Sequence, residues 1–275
     1  MNRDQAWQHW INNGLQEYRP FSRINNTCIH RARFGNLFFI NMAFHLIAIK
    51  NDLCISYKYY DQFKDLGINF FIGKKTYDED MYLSEQSCFE IIKKKEIIKK
   101  NITINISDFY CQQKAFCFLF KEKCKKIFFE NIKRKNLYKH RYNNNDDVFI
   151  HIRLGDLKDS ILKELDQTRN DNKQTYYDKI LSLLTFNNGY ISSDSIDSKY
   201  CKYLINKYNL KVIDLDEVKT IMFASTCKNL ILSGGTFSWM MGFFAFYSKN
   251  IYYPKKKNTW YDDIFVFDDW IGIDE

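Results

Sequence analysis

The stretch VFIHIRLGD, residues 148 to 156, places a short apolar run directly before a histidine, an arginine and an aspartate. Val148 to Ile152 predicts a buried β-strand, since a brief β-branched and aromatic run bounded by polar residues is typical of one. Successive side chains of a strand point to opposite faces, so His151 and Arg153 should share one face of the sheet.

Strand and helix patterns alternate from this run to the end of the chain. A helix between two strands supplies the crossover that parallel pairing needs, so the pattern predicts a parallel α/β sheet and a Rossmann-like C-terminal half. The predicted strands are 148–152, 190–192, 211–215, 229–232 and 251–253, and the predicted helices are 174–185, 197–208, 217–226 and 237–247.

Polar clusters follow three of these strands. They are Arg153 to Asp156, Ser192 to Asp194, and Ser233 to Thr236. The carboxyl ends of parallel strands share one edge of the sheet, where ligands bind, so the three clusters should converge on one crevice. This convergence predicts a binding site.

The first cluster supplies the candidate catalytic residues Arg153 and Asp156, and the strand before it supplies His151. A guanidinium is permanently charged and its planar fork matches two phosphate oxygens, so Arg153 could hold a diphosphate; an ion pair with Asp156 is the alternative. His151 is either a functional group or a hydrogen-bonded residue at the core boundary. Asp156 could orient Arg153 or cap the next helix.

The segment Ser233 to Ser238, SGGTFS, leads into a predicted helix. Two glycines let the backbone approach a ligand closely, and a helix N-terminus favours phosphate. Gly235, Thr236, Phe237 and Ser238 are therefore candidate binding residues. N-capping by Thr236 is the alternative interpretation.

A second loop before a helix lies near the start of the chain. Arg33, Gly35 and Asn36 precede a predicted helix from Leu37 to Lys50, and free backbone N–H groups at such a start suit an anion. A simple tight turn at Gly35 is the alternative.

Length and composition indicate a globular protein of two domains. The 275 residues are 45% hydrophobic and 27% charged, which suits packed domains of ordinary size. The polar stretch from Arg134 to Asp147 is the best boundary, giving domains 1–140 and 141–275.

The positive charge is concentrated in residues 91–142, which carry 15 basic and 4 acidic side chains, whereas the whole chain is +8. The segment is either an anion-binding surface or the solvated face of helices such as Lys121 to Lys133. No nucleic-acid-binding motif accompanies it, so no nucleic-acid partner is expected.

Neither a metal nor a membrane is expected from the sequence. The 8 cysteines lack the close spacing of zinc or redox sites, and no signal peptide or transmembrane segment is recognisable, so we expect a soluble cytoplasmic protein. The acidic clusters Asp78 to Asp80, Asp214 to Asp216, and Asp262–Asp263 are too common a pattern to indicate Mg²⁺. Asp214 to Asp216 should instead cap the helix that begins near Glu217.

The motifs, taken in order, resemble the α1,2-fucosyltransferases that share a His-x-Arg motif, and more weakly the protein O-fucosyltransferases. HIRLGD (151–156) is similar to the family's His-x-Arg-Arg-x-Asp motif, GYISSD (189–194) to a strand ending in Ser and Asp, and residues 222–245 to a block containing Thr-Phe-Ser-Trp. Arg33 to Asn36 resembles the family's N-terminal glycine loop.

The resemblance implies a GT-B-like α/β fold, with two Rossmann-like domains facing each other across a cleft. It also implies inverting transfer of L-fucose from GDP-fucose to a glycan hydroxyl, in an α1,2 linkage and without metal or other cofactor. Arg153 would then bind the diphosphate, and His151 would help to hold the nucleotide. The implied substrate-binding residues are Arg33, Gly35, Asn36, Ser193, Asp194, Gly235, Thr236, Phe237 and Ser238.

Two positions depart from the family pattern. Leu154 replaces the second motif arginine, and Thr220 stands where relatives carry an acid expected to read guanine, with Glu217 three residues earlier. Another nucleotide-linked deoxysugar is therefore an alternative donor, and a non-catalytic binder of nucleic acid or anionic surfaces is an alternative of another class. The candidates for a general base are Asp194 and Asp156.

Overall fold

The computed structural model describes residues 32–94, 97–104, 109–142, 145–154, 174–255 and 264–274, without the side chains of residues 125 and 126. The helices are α1 Phe34–Asn51, α2 Tyr60–Leu66, α3 Glu85–Lys93, α4 Lys114–Ile127, α5 Phe129–Lys135, α6 Tyr176–Leu183, α7 Lys199–Tyr208, α8 Glu217–Ala224 and α9 Thr236–Phe243. The strands are β1 Asp80–Leu83, β2 Asn101–Ile104, β3 Val148–Ile152, β4 Gly189–Ser193, β5 Leu210–Val212, β6 Asn229–Ile231, β7 Asn250–Lys255 and β8 Ile271–Asp274.

The C-terminal half is built on a six-stranded sheet in the order β5-β4-β3-β6-β7-β8, and every neighbouring pair is parallel. The chain starts at the centre with β3, moves outward to β5, and then returns to the other side of β3 with β6. This is the Rossmann strand order, and its reversal point lies between β3 and β6. The predicted parallel α/β sheet is thus confirmed.

The sheet separates two apolar clusters. Val148, Ile150 and Ile152 pack with α6 and α7 on one face. Phe149 faces the other way, toward α8, α9 and α1. All five residues of β3 are buried, because a central parallel strand covered by helices on both faces meets no water.

Local sequence signals explain where the crossover helices begin. Asp216 caps α8 by accepting the Lys219 N–H at 2.8 Å, as predicted. Thr175 and Ser198 cap α6 and α7 in the same way. Such side-chain caps satisfy backbone donors that have no partner within the helix.

Helix α1 lies in the interior rather than on the surface, since 15 of its 18 residues are buried. Its aromatic side chains meet those of α9: Phe39 lies 4.6 Å from Trp239, and Phe38 lies 5.8 Å from Phe243, between ring centroids. Contacts at these separations add to the burial of the rings themselves. A single apolar cluster therefore joins the described part of residues 1–140 to the C-terminal sheet.

In the described part of residues 1–140 the strands form a two-stranded parallel sheet, β1-β2, with an isolated parallel bridge between Leu53 and Lys75. Helix α3 contacts β1, and α1 packs against α3. The two-domain GT-B arrangement stays a prediction, while the α/β architecture is established.

Three details of the elements differ from expectation. The helix predicted from Lys121 to Lys133 is two helices, separated at the buried Phe128. β5 ends at Val212, before the predicted limit at residue 215. β8 was not anticipated; it extends the sheet beyond β7. In the described residues no helix is long and apolar enough to cross a membrane.

The boundary stretch is bound to the C-terminal half by buried polar contacts. Arg141 pairs with Asp147 at 2.8 Å and donates to the Thr226 hydroxyl at 3.0 Å. Its guanidinium also stacks on the Phe223 ring, 4.4 Å from the centroid. The Asp147 side chain is only 3% exposed, so it depends on Arg141 for its counter-charge.

We expect Arg141→Ala to lower the free energy of unfolding by about 3–5 kcal/mol, because it leaves the Asp147 carboxylate buried without its cation. The exposed Arg134, which donates to the nearby Asn131 side chain, provides the matched control. Its replacement by Ala should change stability by less than about 0.5 kcal/mol. Denaturant unfolding measures both, and equal losses in the two variants would contradict the role given to Arg141.

Candidate functional site

The carboxyl ends of β3 and β6 bring two of the predicted clusters together at the reversal point of the sheet. Ile150 pairs with Ile231 in register, so Arg153 and the segment Ser233 to Ser238 both leave the same edge. A Cβ built on Gly235 would lie 2.5 Å from Nη1 of Arg153. The Arg153 guanidinium therefore lies directly against the Gly235 backbone.

Gly235 has a conformation that side chains disfavour, with φ 108° and ψ 164°. This region is essentially restricted to glycine. Gly235 also occupies the N-cap of α9 and offers no capping side chain. The predicted alternative, N-capping by Thr236, is wrong, because Thr236 is the first helical residue and its hydroxyl is directed elsewhere.

The Thr236 hydroxyl donates to Oδ1 of Asn36 at 2.5 Å, across 200 residues of chain. Beside this contact, a Cβ on Gly35 would lie 2.6 Å from the Phe237 nitrogen and 2.8 Å from Thr236. Only a residue without a side chain permits so close an approach of the two backbones. The first turn of α1 and the SGGTFS segment thus lie together, with the exposed Arg33 just before α1. The prediction that Gly35 and Asn36 precede the helix is wrong, because α1 begins at Phe34 and both residues lie in its first turn. The alternative of a simple tight turn at Gly35 is wrong for the same reason.

His151 is buried on the same face as Arg153, as the strand parity predicts. Its Nδ1 lies 2.5 Å from Oγ of Ser238 and 3.1 Å from Oγ of Ser233. The Phe237 ring stands edge-on to the imidazole, with centroids 5.4 Å apart. Burial lowers the pKa of His151 to about 4, with Asp194 opposing this change and Arg153 reinforcing it.

The third cluster reaches the site through Asp194, whose carboxylate accepts the Leu154 N–H at 2.9 Å. Asp194 is otherwise exposed to solvent, and Ser193 next to it is half-buried and accepts the Ser195 N–H. The end of β4 is thereby tied to the end of β3. All three predicted clusters accordingly converge on one edge, while Asp156 lies outside the described residues.

The two positions that depart from the family pattern have definite surroundings. The Leu154 side chain packs in the apolar cluster of α6 and α7 and is 2% exposed. It therefore points to the opposite face of the sheet from Arg153. Thr220 is buried and donates to the Leu215 carbonyl, whereas Glu217 is exposed.

Sequence reasoning predicts that Ser238 lies near a phosphate, which stays a prediction, and it missed the hydrogen bond of Ser238 to His151. It also missed Ser233 as the second partner of this ring. The available signal was the placement of two serines around the glycine pair, five residues apart. Their contact with a strand residue more than 80 positions earlier is visible only in the fold.

The acidic clusters are engaged in local structure. Glu79 pairs with Lys100 and Asp80 accepts from Asn101, while Asp262 and Asp263 lie outside the described residues. Across the part of the chain that is described, no three His, Cys, Asp or Glu side chains are grouped as a metal site would require.

Comparison with known proteins adds no assignment: no protein-family model matches the chain, and no curated protein matches it significantly. The fold and the site define the class by themselves. The protein is a Rossmann-like α/β protein in which Arg153 and the glycine-rich segment Ser233 to Ser238 meet at the reversal point of its sheet.

Two buried histidines should make the fold sensitive to acid. Burial lowers the pKa of both His45 and His151 to about 4, below the value of about 6.5 in an unfolded chain. Between these values the unfolded chain binds protons that the folded chain does not, so each histidine should remove about 3 kcal/mol of stability as the pH falls from 6.5 to 4.

Unfolding free energies measured across this range in the wild type and in His45→Gln test the effect. The variant should lose stability with acid less steeply than the wild type. Identical slopes would show that His45 is not held neutral by burial.

Gly235→Ala should both destabilise the protein and displace Arg153. We expect a loss of about 1–3 kcal/mol from the backbone conformation alone. In Gly272→Ala, the matched control, the new Cβ would meet the movable end of the Tyr253 side chain at an ordinary φ, so the loss should be smaller. Thermal unfolding of the two variants measures the difference, and a wild-type melting temperature for Gly235→Ala would contradict the geometry.

Proposed function

We propose that the protein is an inverting glycosyltransferase that moves L-fucose from GDP-fucose to a hydroxyl of a glycan, without a metal ion. The observation that carries this proposal is the position of Arg153, against Gly235 at the reversal point of a Rossmann-ordered sheet. Nucleotides bind at this point in open α/β sheets. The resemblance to the fucosyltransferase motifs supports the proposal, since Arg153, Asp194 and Gly235 from three of the similar segments lie at this edge.

The chemistry of the crevice suits a departing nucleoside diphosphate. A guanidinium can bind two phosphate oxygens at once. The first turn of α9 lies beside it, and its cap residue, Gly235, provides no side-chain acceptor, so the positive end of the helix also favours an anion. Positive charge placed where negative charge develops lowers the barrier to cleavage of the sugar–phosphate bond.

The acceptor would enter from the side of α1, since Asn36 and Gly35 border the crevice there. In an inverting reaction the acceptor oxygen attacks the anomeric carbon as the diphosphate departs from the opposite face. A base assists by taking the acceptor proton. Asp194 is the candidate in the described residues, since it is exposed and fixed to the end of β3 by the Leu154 N–H. The GT-B arrangement of two facing domains belongs to this proposal.

A second donor is favoured by one observation. Thr220 occupies the position expected to read guanine, yet its hydroxyl is committed to the Leu215 carbonyl and is buried. Nothing at this position then selects guanine by a carboxylate. A transferase that uses another nucleotide-linked deoxysugar fits the same phosphate site.

A thermal-shift screen over nucleotides and nucleotide sugars, with and without EDTA, separates the two donors. We expect GDP and GDP-fucose to raise the melting temperature equally in both conditions, because a ligand that binds only the folded state stabilises it. If another nucleotide does so while GDP at millimolar concentration has no effect, the second donor replaces the first.

Arg153→Ala should weaken GDP binding by about 10- to 100-fold, the loss expected for a hydrogen-bonded charge pair. Arg153→Lys keeps the charge without the planar fork and should lie between this variant and the wild type. Arg134→Ala removes an equal charge from the surface and should bind as the wild type does. Calorimetric titration measures the GDP affinity of all four proteins. Equal losses of affinity in Arg153→Ala and Arg134→Ala would show that the effect comes from net charge and not from the position of Arg153.

A further inference from the structure

His151, Ser233 and Ser238 form a closed hydrogen-bonded cluster beneath the N-terminus of α9. Nδ1 of His151 lies 2.5 Å from the Ser238 hydroxyl, which in turn lies 2.8 Å from the Ser233 hydroxyl. The Ser233 N–H also donates to Oγ of Ser238 at 3.1 Å. All three side chains are buried, with exposures of 6%, 4% and 1% respectively, so the cluster is shielded from exchange with bulk water.

The supply of donors in this cluster decides the position of the imidazole proton. If Ser238 donates to Nδ1, its oxygen is free to accept both the N–H and the hydroxyl of Ser233. Every hydroxyl proton then lies on a contact of 2.5 or 2.8 Å. A neutral imidazole that accepts at Nδ1 must carry its proton at Nε2.

The arrangement with the proton on Nδ1 of His151 leaves one hydroxyl without a good hydrogen bond. If Nδ1–H donated to Ser238, the Ser238 hydroxyl would donate to Ser233. The Ser233 hydroxyl would then be left with the Gly234 carbonyl at 3.4 Å, beyond the usual range for a hydroxyl donor. A poorly satisfied hydroxyl in a buried position costs free energy, so the first arrangement is favoured.

We propose that Ser238, supported by Ser233, is a positioning residue that fixes His151 as the neutral tautomer protonated at Nε2 and presents this N–H as a donor to a phosphate oxygen. The phosphate part of this inference rests on the proposed function. The tautomer part rests on the hydrogen-bond geometry alone.

A neutral histidine at this position can donate a hydrogen bond without adding charge. Nε2 points away from the two serines because the ring nitrogens lie on different sides of the imidazole. The neighbouring Arg153 supplies the full positive charge, and burial keeps His151 neutral. The ring therefore adds a directed donor without adding a second buried cation, which would be costly.

The tautomer can be read directly by NMR of the full chain labelled with ¹⁵N-histidine, with the His151 signals assigned by their loss in His151→Gln. We expect a non-protonated Nδ1 and a protonated Nε2 in the wild type. In Ser238→Ala the signals should move toward the averaged values of exchanging tautomers, and Ser238→Thr, which keeps the hydroxyl, should restore them. A wild-type spectrum with the proton on Nδ1 of His151 would overturn the inference whether or not the Ser238 variants fold.

Titration with GDP and with inorganic pyrophosphate tests the phosphate donor. Ser238→Ala should weaken both by about tenfold, the effect of one misdirected hydrogen bond to an anion. Ser225→Ala is the matched control, because Ser225 is equally buried but donates to the Met222 carbonyl at the end of α8. It should lower stability without changing either affinity.

The outcomes separate this inference from the proposed function. A wild type that binds GDP with the proton on Nδ1 overturns the role of Ser238 and leaves the transferase proposal standing. The expected tautomer in a protein that binds neither GDP nor pyrophosphate supports the positioning by Ser238 and overturns the phosphate donor. Equal affinity losses in Ser238→Ala and Ser225→Ala would reduce the effect to general destabilisation.

Discussion

The pairing of β3 on both of its edges is the constraint on which the rest of the structure depends. β3 pairs with β4 on one side and with β6 on the other, both in parallel. Because the chain leaves this strand in one direction and returns on its other side, the connecting helices diverge at its carboxyl end. Ligands of open α/β sheets bind at such a reversal point, and the residues that follow β3 and β6 lie there. Arg153 and the SGGTFS segment, 233–238, are placed by that geometry.

The contact between α1 and α9 brings residues from both halves of the chain to this edge of the sheet. α1 is buried almost throughout. Its first turn approaches the backbone of α9 so closely at Gly35 that no side chain would fit there. The aromatic rings of α1 and α9 continue this contact into the core. The hydrogen bond from Thr236 to Asn36 closes it. A ligand held by Arg153 would therefore have residues from the first 40 positions beside it.

Much of the sheet could be predicted from the sequence because strand patterns and helix caps depend on residues close together in the chain. β3 spans Val148 to Ile152 as expected, and Asp216 caps α8 as expected. Strand parity also placed His151 and Arg153 on one face. Differences arose where distant packing decides the outcome. One is the helix break at Phe128, and another is the alternative of Thr236 as an N-cap, which fails because its hydroxyl bonds to a partner 200 residues away rather than to its own helix.

The structural environments of Leu154 and Thr220 show how these two departures from the fucosyltransferase motifs affect the site. Leu154 seemed to remove a charge from the donor site, but its side chain lies in the apolar cluster on the other face of the sheet. The replacement therefore leaves the face of Arg153 unchanged. Thr220 is the more important difference, since its hydroxyl already donates to the Leu215 carbonyl just before its own helix. Under the proposed function, the identity of the nucleotide base is thus a separate question from the binding of its diphosphate.

The amino-acid sequence by itself determined the alternation of strands and helices, the strand ends that carry polar residues, and the face shared by His151 and Arg153. These features depend on periodicity and on near neighbours in the chain. Only the tertiary structure decided that Ser233 and Ser238 hold His151 and that Gly35 meets α9. Such contacts join residues 80 to 200 positions apart, and their formation depends on how whole helices and strands pack, which no local pattern encodes.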